Sequence, residues 1–101
     1  MNTPSPKLTI LERARLTLQL ESDAVRQLMT QLNDDFESVV FHLLQFKGRV
    51  IITGIGKSGI IAQKLVATFN STGTPAVFMH AADAIHGDLG LVQKEDVVLC
   101  I

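Results

Sequence analysis

Residues 49–59, RVIITGIGKSG, constrain this chain more than any other segment. A near-continuous apolar run ends in Gly54-Ile55-Gly56-Lys57-Ser58-Gly59, and a helical pattern of apolar residues follows. The run does not alternate between apolar and polar residues, which suits a parallel strand covered on both faces. A strand that enters a helix through glycines aims several backbone N–H groups, and the positive end of the helix dipole, at one spot. That spot suits a phosphate. The lysine and serine at the helix entrance strengthen this reading.

The flanking segments supply the rest of an α/β pattern. Residues 1–7 hold two prolines and small polar residues and are expected to fray. Thr9 followed by Glu12 fits a capping box opening a helix over residues 10–31. Leu11, Leu18, Val25 and Leu32 recur every seven residues, with Ala14 and Leu28 between them, giving that helix an apolar stripe. The stripe reads as a docking face, with a regulatory coiled coil as the rarer reading. Asn33 or Asp34 opens a second helix running to about Phe46, with Phe36, Val39, Val40, Leu43 and Leu44 as its expected buried face and Gly48 as its stop. His42 reads as an ordinary helix histidine.

Strands are expected at 49–54, 76–79 and 97–101, with a helix at 57–70 whose inward residues are Ile60 or Ile61, Leu65, Ala67 or Thr68, and Phe69. Gly73 ends that helix and Pro75 prevents its continuation. Residues 81–91 read as loop with one or two helical turns. The strands alternate with helical segments, which predicts a parallel sheet in expected order 2-1-3.

Composition narrows the function classes. The apolar fraction is 47%, enough for a packed core. The net charge is −1 with scattered basic residues, which gives no support to a nucleic-acid partner. No apolar run reaches the length of a membrane span, and the N-terminus has no signal-peptide pattern. Cytoplasmic location is the expectation. A single cysteine, Cys100, excludes an internal disulfide and reads as a small buried hydrophobe.

Gly54, Gly56 and Gly59 formally match the dinucleotide-binding glycine pattern. That pattern also requires an acidic residue at the end of the second strand, where this chain has Phe78-Met79-His80, and Asp83 comes late. A Walker A loop requires glycine where Ile51 stands, so a nucleotide P-loop is rejected. A purely steric βα turn, with Lys57 and Ser58 idle, is the plainer alternative. The segment His86-Gly87-Asp88-Leu89 is harder to read as structure alone, because a loop histidine beside a phosphate-type turn can exchange protons near neutral pH. His80 falls at a strand's carboxyl end, where open α/β sheets bind ligands. His80, Asp83 and Asp88 could suggest a metal, but their spacing matches no standard zinc set.

GIGKSG (54–59), ATFNSTGTPAVFMHAADAIHGDLG (67–90) and DVVLCI (96–101) together resemble the bacterial D-arabinose 5-phosphate isomerases of the sugar isomerase (SIS) fold. The resemblance covers nearly everything after Gly48, and the two N-terminal helices fit in placement only. It implies an α/β fold of flavodoxin-like type: a three-layer αβα parallel sheet, here reading as truncated after its third strand, with two N-terminal helices. Residues 1–47 would be a helical segment, and 48–101 the first half of a sugar-phosphate-binding domain.

The implied activity is aldose–ketose isomerisation of D-ribulose 5-phosphate and D-arabinose 5-phosphate, a step toward the 3-deoxy-D-manno-octulosonate of lipopolysaccharide. Lys57 is the implied catalytic residue. Gly73, Thr74 and His86 are the implied substrate contacts, with Ser58 joining them from the turn. His80 matches a histidine associated with an inhibitory zinc, and no cofactor is required. A homo-oligomer is implied, with a sugar phosphate as the small-molecule partner. The family's later phosphate loop, glutamates and paired CBS domains are not in this sequence, so this chain by itself is expected to be incomplete, inactive and prone to associate through its third strand. A non-catalytic sugar-phosphate-binding module and, further off, a dinucleotide-binding oxidoreductase fragment are the competing readings.

Overall fold

The computed structural model describes residues 7–85 and 87–101, so the expectation for the first six residues lies outside it. The chain divides into two units, at His42 and Leu43.

In the first unit, α1 spans Ile10–Gln31 and begins with the expected capping box. Thr9 Oγ1 accepts from the Glu12 N–H at 3.1 Å, and the Glu12 carboxylate accepts from the Thr9 N–H at 2.8 Å. Asn33 Oδ1 then accepts from the N–H groups of Asp35 and Phe36, opening α2 (Asp34–Gln45). Asp34, Asp35 and Glu37 complement the positive end of this helix. No residue of α1 or α2 is buried. The expected inward face of α2 is thereby corrected: Phe36, Val39, Val40 and Leu44 are exposed, and of that set Leu43 alone packs on the core, joined by Phe46 beyond the helix.

The second unit holds the sheet. Strands β1 (Val50–Gly54), β2 (Ala76–His80) and β3 (Val97–Cys100) are all parallel and lie in the order β2-β1-β3. Helix α3 (Lys57–Ser71) connects β1 to β2, and short turns α4 (Ala81–Ile85) and a 3-10 segment (Asp88–Leu91) precede β3. Central β1 is buried along its whole length. Val50, Ile51 and Ile52 are fully buried, and each contributes roughly 1.5–3 kcal/mol on leaving water.

Val50 and Ile52 share a core with Ala62 of α3 and Ala76 of β2, against which Leu65, Val66, Phe69 and Phe78 pack. The inward face of α3 is therefore Gly59, Ala62, Leu65, Val66 and Phe69. Ile60 and Ile61 are 68% and 55% exposed, and Ala67 and Thr68 are exposed too, contrary to expectation. Small residues face the strand at the helix entrance because the helix starts within contact distance of it: a Cβ on Gly59 would lie 3.3 Å from the Gly54 carbonyl oxygen.

The stop of α3 follows the sequence closely. Gly73 has φ of 96°, its N–H donates to the Asn70 carbonyl at 3.3 Å, and the Thr74 N–H donates to the Phe69 carbonyl at 2.9 Å. This is a Schellman ending. Asn70 does a second job. Its side-chain amide donates to the Ala76 carbonyl at 3.0 Å and its Oδ1 accepts from the Ala76 N–H at 2.9 Å, standing in for a strand neighbour where β2 begins.

Among the described residues strand β3 has a neighbour on one side only, and Val98, Leu99 and Ile101 are exposed. Cys100 is exposed with them, which corrects the buried reading. The start of β3 is fixed to β1 by one ion pair. Arg49 Nη2 lies 2.8 Å from Asp96 Oδ2 and Arg49 Nε 3.3 Å from Oδ1. The same carboxylate accepts from the backbone N–H groups of Gln93 (2.7 Å) and Arg49 (2.9 Å), while Arg49 Nη2 also donates to the Leu91 carbonyl.

The Arg49 guanidinium first, then those two backbone donors, hold the Asp96 carboxyl well below the usual carboxylate range. A depressed folded-state pKa gives stability that is complete above the unfolded value of about 3.9 and drains as pH falls toward the folded value. Asp96→Asn is therefore expected to be less stable at pH 7 and to show a flatter loss between about pH 4 and pH 2. Urea unfolding of both proteins at several pH values checks this; parallel acid limbs would refute it.

Candidate functional site at the carboxyl edge of the sheet

Gly54, the last residue of β1, pairs in register with His80, the last residue of β2. The βα turn and the end of β2 therefore meet at one edge of the sheet. A Cβ on Gly54 would lie 2.9 Å from the carbonyl carbon and oxygen of Ser58 and 3.0 Å from the Gly59 nitrogen. Gly56, the N-cap of α3, has φ of 57° and ψ of −127°, a backbone state suited to glycine. The two glycines thus press the first turn of α3 onto the end of β1.

The amino end of α3 is left electropositive. Gly56 offers no side-chain cap, and the first turn contains no acidic residue. The opening N–H groups of a helix lack intrahelical partners. Lys57, the first helical residue, is exposed, and Ser58 beside it is half-buried. A lysine here stands against the helix dipole, so its charge adds to the dipole rather than offsetting it. An anion relieves both at once. One residue upstream of Gly54, the Thr53 hydroxyl is buried with no hydrogen-bond partner among the described residues. Nothing in the sequence alone singled it out.

His80 is half-buried at the end of β2. Its ring meets Phe78 edge-on, with centroids 6.2 Å apart and planes at 88°. Its Nδ1 accepts from the Ala82 N–H at 3.1 Å. A backbone N–H can only donate, so the neutral ring carries its proton on Nε2 and presents a donor. Ligating a metal through Nε2 would require moving that proton to Nδ1 and losing the Ala82 bond. Among the described residues no three His, Cys, Asp or Glu side chains gather to hold a metal. These residues by themselves do not fit a zinc ion. Asp83 is exposed in the first turn of α4.

The chain brings together Lys57, Ser58 and His80 at this edge. It does not bring Gly73 and Thr74 there. Those two form the stop of α3, next to the start of β2, and α3 with its 15 residues is about 22 Å long. Their expected role as contacts to the same sugar phosphate finds no support in the placement within one chain. His86 lies outside the described residues.

Comparison with known proteins places this geometry in context. The SIS domain model matches residues 42–101. The chain is 47% identical over 95 residues to a probable arabinose 5-phosphate isomerase of Haemophilus influenzae, covering 94% of this chain and 28% of that protein. It is 46% identical over 97 residues to an arabinose 5-phosphate isomerase of Pseudomonas aeruginosa, covering 96% and 30%. This chain thus spans under a third of the length of these relatives.

Among solved structures, an Escherichia coli CFT073 protein in complex with arabinose 5-phosphate superposes with a TM-score of 0.80 at 41% identity, covering 92% of this chain and 51% of that one. A putative sugar-phosphate isomerase of Listeria monocytogenes superposes at 0.84 with 34% identity, covering 96% and 51%.

Proposed function

The chain belongs to the SIS domain family, and from that premise we propose that its protein is a sugar-phosphate aldose–ketose isomerase interconverting D-ribulose 5-phosphate and D-arabinose 5-phosphate. The observation that carries the reading is the uncapped, lysine-bearing amino end of α3 at the carboxyl edge of the sheet. It agrees with relatives of that name at 46–47% identity.

The reaction removes a proton from the carbon beside the carbonyl, passes through an enediol, and returns a proton to the neighbouring carbon. Negative charge accumulates on the enediolate oxygen, and the substrate phosphate is already anionic. Lys57 and the α3 dipole supply fixed positive charge for one of these, a form of stabilisation that needs no rearrangement during the step. His80, with its proton on Nε2, supplies a hydrogen-bond donor for a sugar oxygen. Proton transfer at carbon is not assigned to any described residue. The reaction so written uses neither a metal nor a nucleotide.

In this reading the protein acts in the cytoplasm, as a homo-oligomer, in the synthesis of lipopolysaccharide sugar. No described helix is long and apolar enough to cross a membrane. Incubating the full-length protein with D-ribulose 5-phosphate in the presence of a chelator is expected to yield D-arabinose 5-phosphate. A strict requirement for added metal or NAD, or binding of the sugar phosphate without turnover, would sink the proposal. The second of these results would favour the non-catalytic binding module.

A further inference from the structure

We propose that His80 is a positioning residue whose two ring nitrogens have separate tasks: Nδ1 fastens the first turn of α4 to the end of β2, and that bond fixes Nε2–H as the donor offered to a sugar oxygen. The proposal deepens the isomerase reading above, on which its part in turnover rests.

Helix α4 has five residues, and none of them is buried. A helix that short does not hold by itself in water. Its second residue, Ala82, donates its N–H to His80 Nδ1 at 3.1 Å. This is the pattern of an N-cap, in which the residue before a helix accepts from a backbone N–H of the first turn. Serine, threonine, aspartate and asparagine are the residues favoured for that task alone. Histidine adds a second nitrogen on the opposite edge of a rigid ring, and the bond made at one nitrogen decides the protonation of the other.

The tilt of the ring is fixed as well. Phe78 meets it edge-on, at a centroid distance of 6.2 Å, an arrangement that aromatic pairs favour. Phe78 itself packs on the core, and its Cζ lies 3.8 Å from where a Cβ on Gly59 would stand. Gly59 belongs to the opening turn of α3, with Lys57 and Ser58. One series of contacts therefore runs from the amino end of α3 through Phe78 and His80 to α4. It keeps the Nε2 donor and α4 in a set relation to the lysine-bearing helix end.

Three substitutions in the full-length protein separate the two nitrogens. His80→Asn keeps an acceptor where Nδ1 stands and loses the far donor. His80→Gln keeps a donor near the place of Nε2 and loses the cap, and His80→Ala loses both. Millisecond hydrogen exchange over residues 81–85 is expected to speed up about 2–10-fold in His80→Ala and His80→Gln, the scale of one hydrogen bond. His80→Asn should exchange as the parent does. In steady-state kinetics with D-ribulose 5-phosphate, His80→Asn and His80→Gln should each recover part of the kcat/KM lost in His80→Ala, and neither should reach the parent. Unchanged exchange in His80→Ala, or equal protection by Gln and Asn, overturns the cap. Full kcat/KM in His80→Gln overturns the positioning role while the isomerase reading stands. A parent protein without turnover overturns that reading, and the exchange comparison still decides the cap.

Discussion

Alanine at Gly48 is expected to cost more than any other single methyl group added to the sheet unit. A Cβ there would drive into the carbonyl group of Glu95, with the Asp96 nitrogen also within 2.8 Å. All the atoms met are backbone, so no side chain can swing aside. They also belong to the turn that Asp96 fastens to Arg49, the residue next to Gly48. Relief therefore requires the β1 and β3 entrances to part. Overpacking alone costs about 1–3 kcal/mol, and breaking the adjoining hydrogen bonds adds to it. The total is a large share of the roughly 5–15 kcal/mol that holds a domain folded. Thermal unfolding should show Gly48→Ala far below the parent, and below Gly90→Ala, where a Cβ meets nothing within 4 Å. Equal midpoints for the two variants would refute the close approach.

Gly48 also shows where sequence reading loses its grip. As a residue after a helix it reads as a helix stop, and a glycine stop works through a positive φ. Its φ is not positive, and α2 ends three residues earlier. The reason for glycine is a neighbour 47 positions away, and no local pattern records such a neighbour. Arg49 and Asp96 are hidden for the same cause. Each looks like an ordinary charge flanking a strand, and only the parallel pairing of β1 with β3 makes them partners.

Local signals, by contrast, survive folding intact. Thr9 and Glu12 close the capping box, Gly73 takes the left-handed turn, and the glycines of residues 54–59 make the strand-to-helix corner. The helical faces fall between these cases. Ile60 and Ile61 look like core by hydropathy, but α3 turns Gly59, Ala62, Leu65, Val66 and Phe69 toward the sheet and leaves both isoleucines exposed. Of the candidate site, the turn and His80 were legible because strand ends predict one shared edge. The separation of Gly73 and Thr74 from that edge follows from the length of α3, which the sequence shows but a list of contacts does not.

Lys57→Ala is expected to lower turnover by about 10²–10³-fold, the scale set by losing one fixed stabiliser of transition-state charge, while the folded state becomes no less stable. Lys57 is exposed and sits at the first position of α3, where its charge opposes the helix dipole. Removing it takes away no packing and relieves a repulsion of about 0.3–1 kcal/mol, so the unfolding midpoint should hold or rise slightly. Lys57→Gln should behave alike, because it keeps the length and loses the charge. Lys57→Arg keeps the charge but spreads it over a planar fork, and it should recover part of the turnover. Steady-state kinetics of the full-length protein, read beside thermal unfolding, separates this from a structural role. A lysine that merely supported the fold would lose activity and midpoint together. Undiminished kcat/KM in Lys57→Ala would remove the residue from the site and leave the α3 dipole as the source of fixed positive charge there among the described residues.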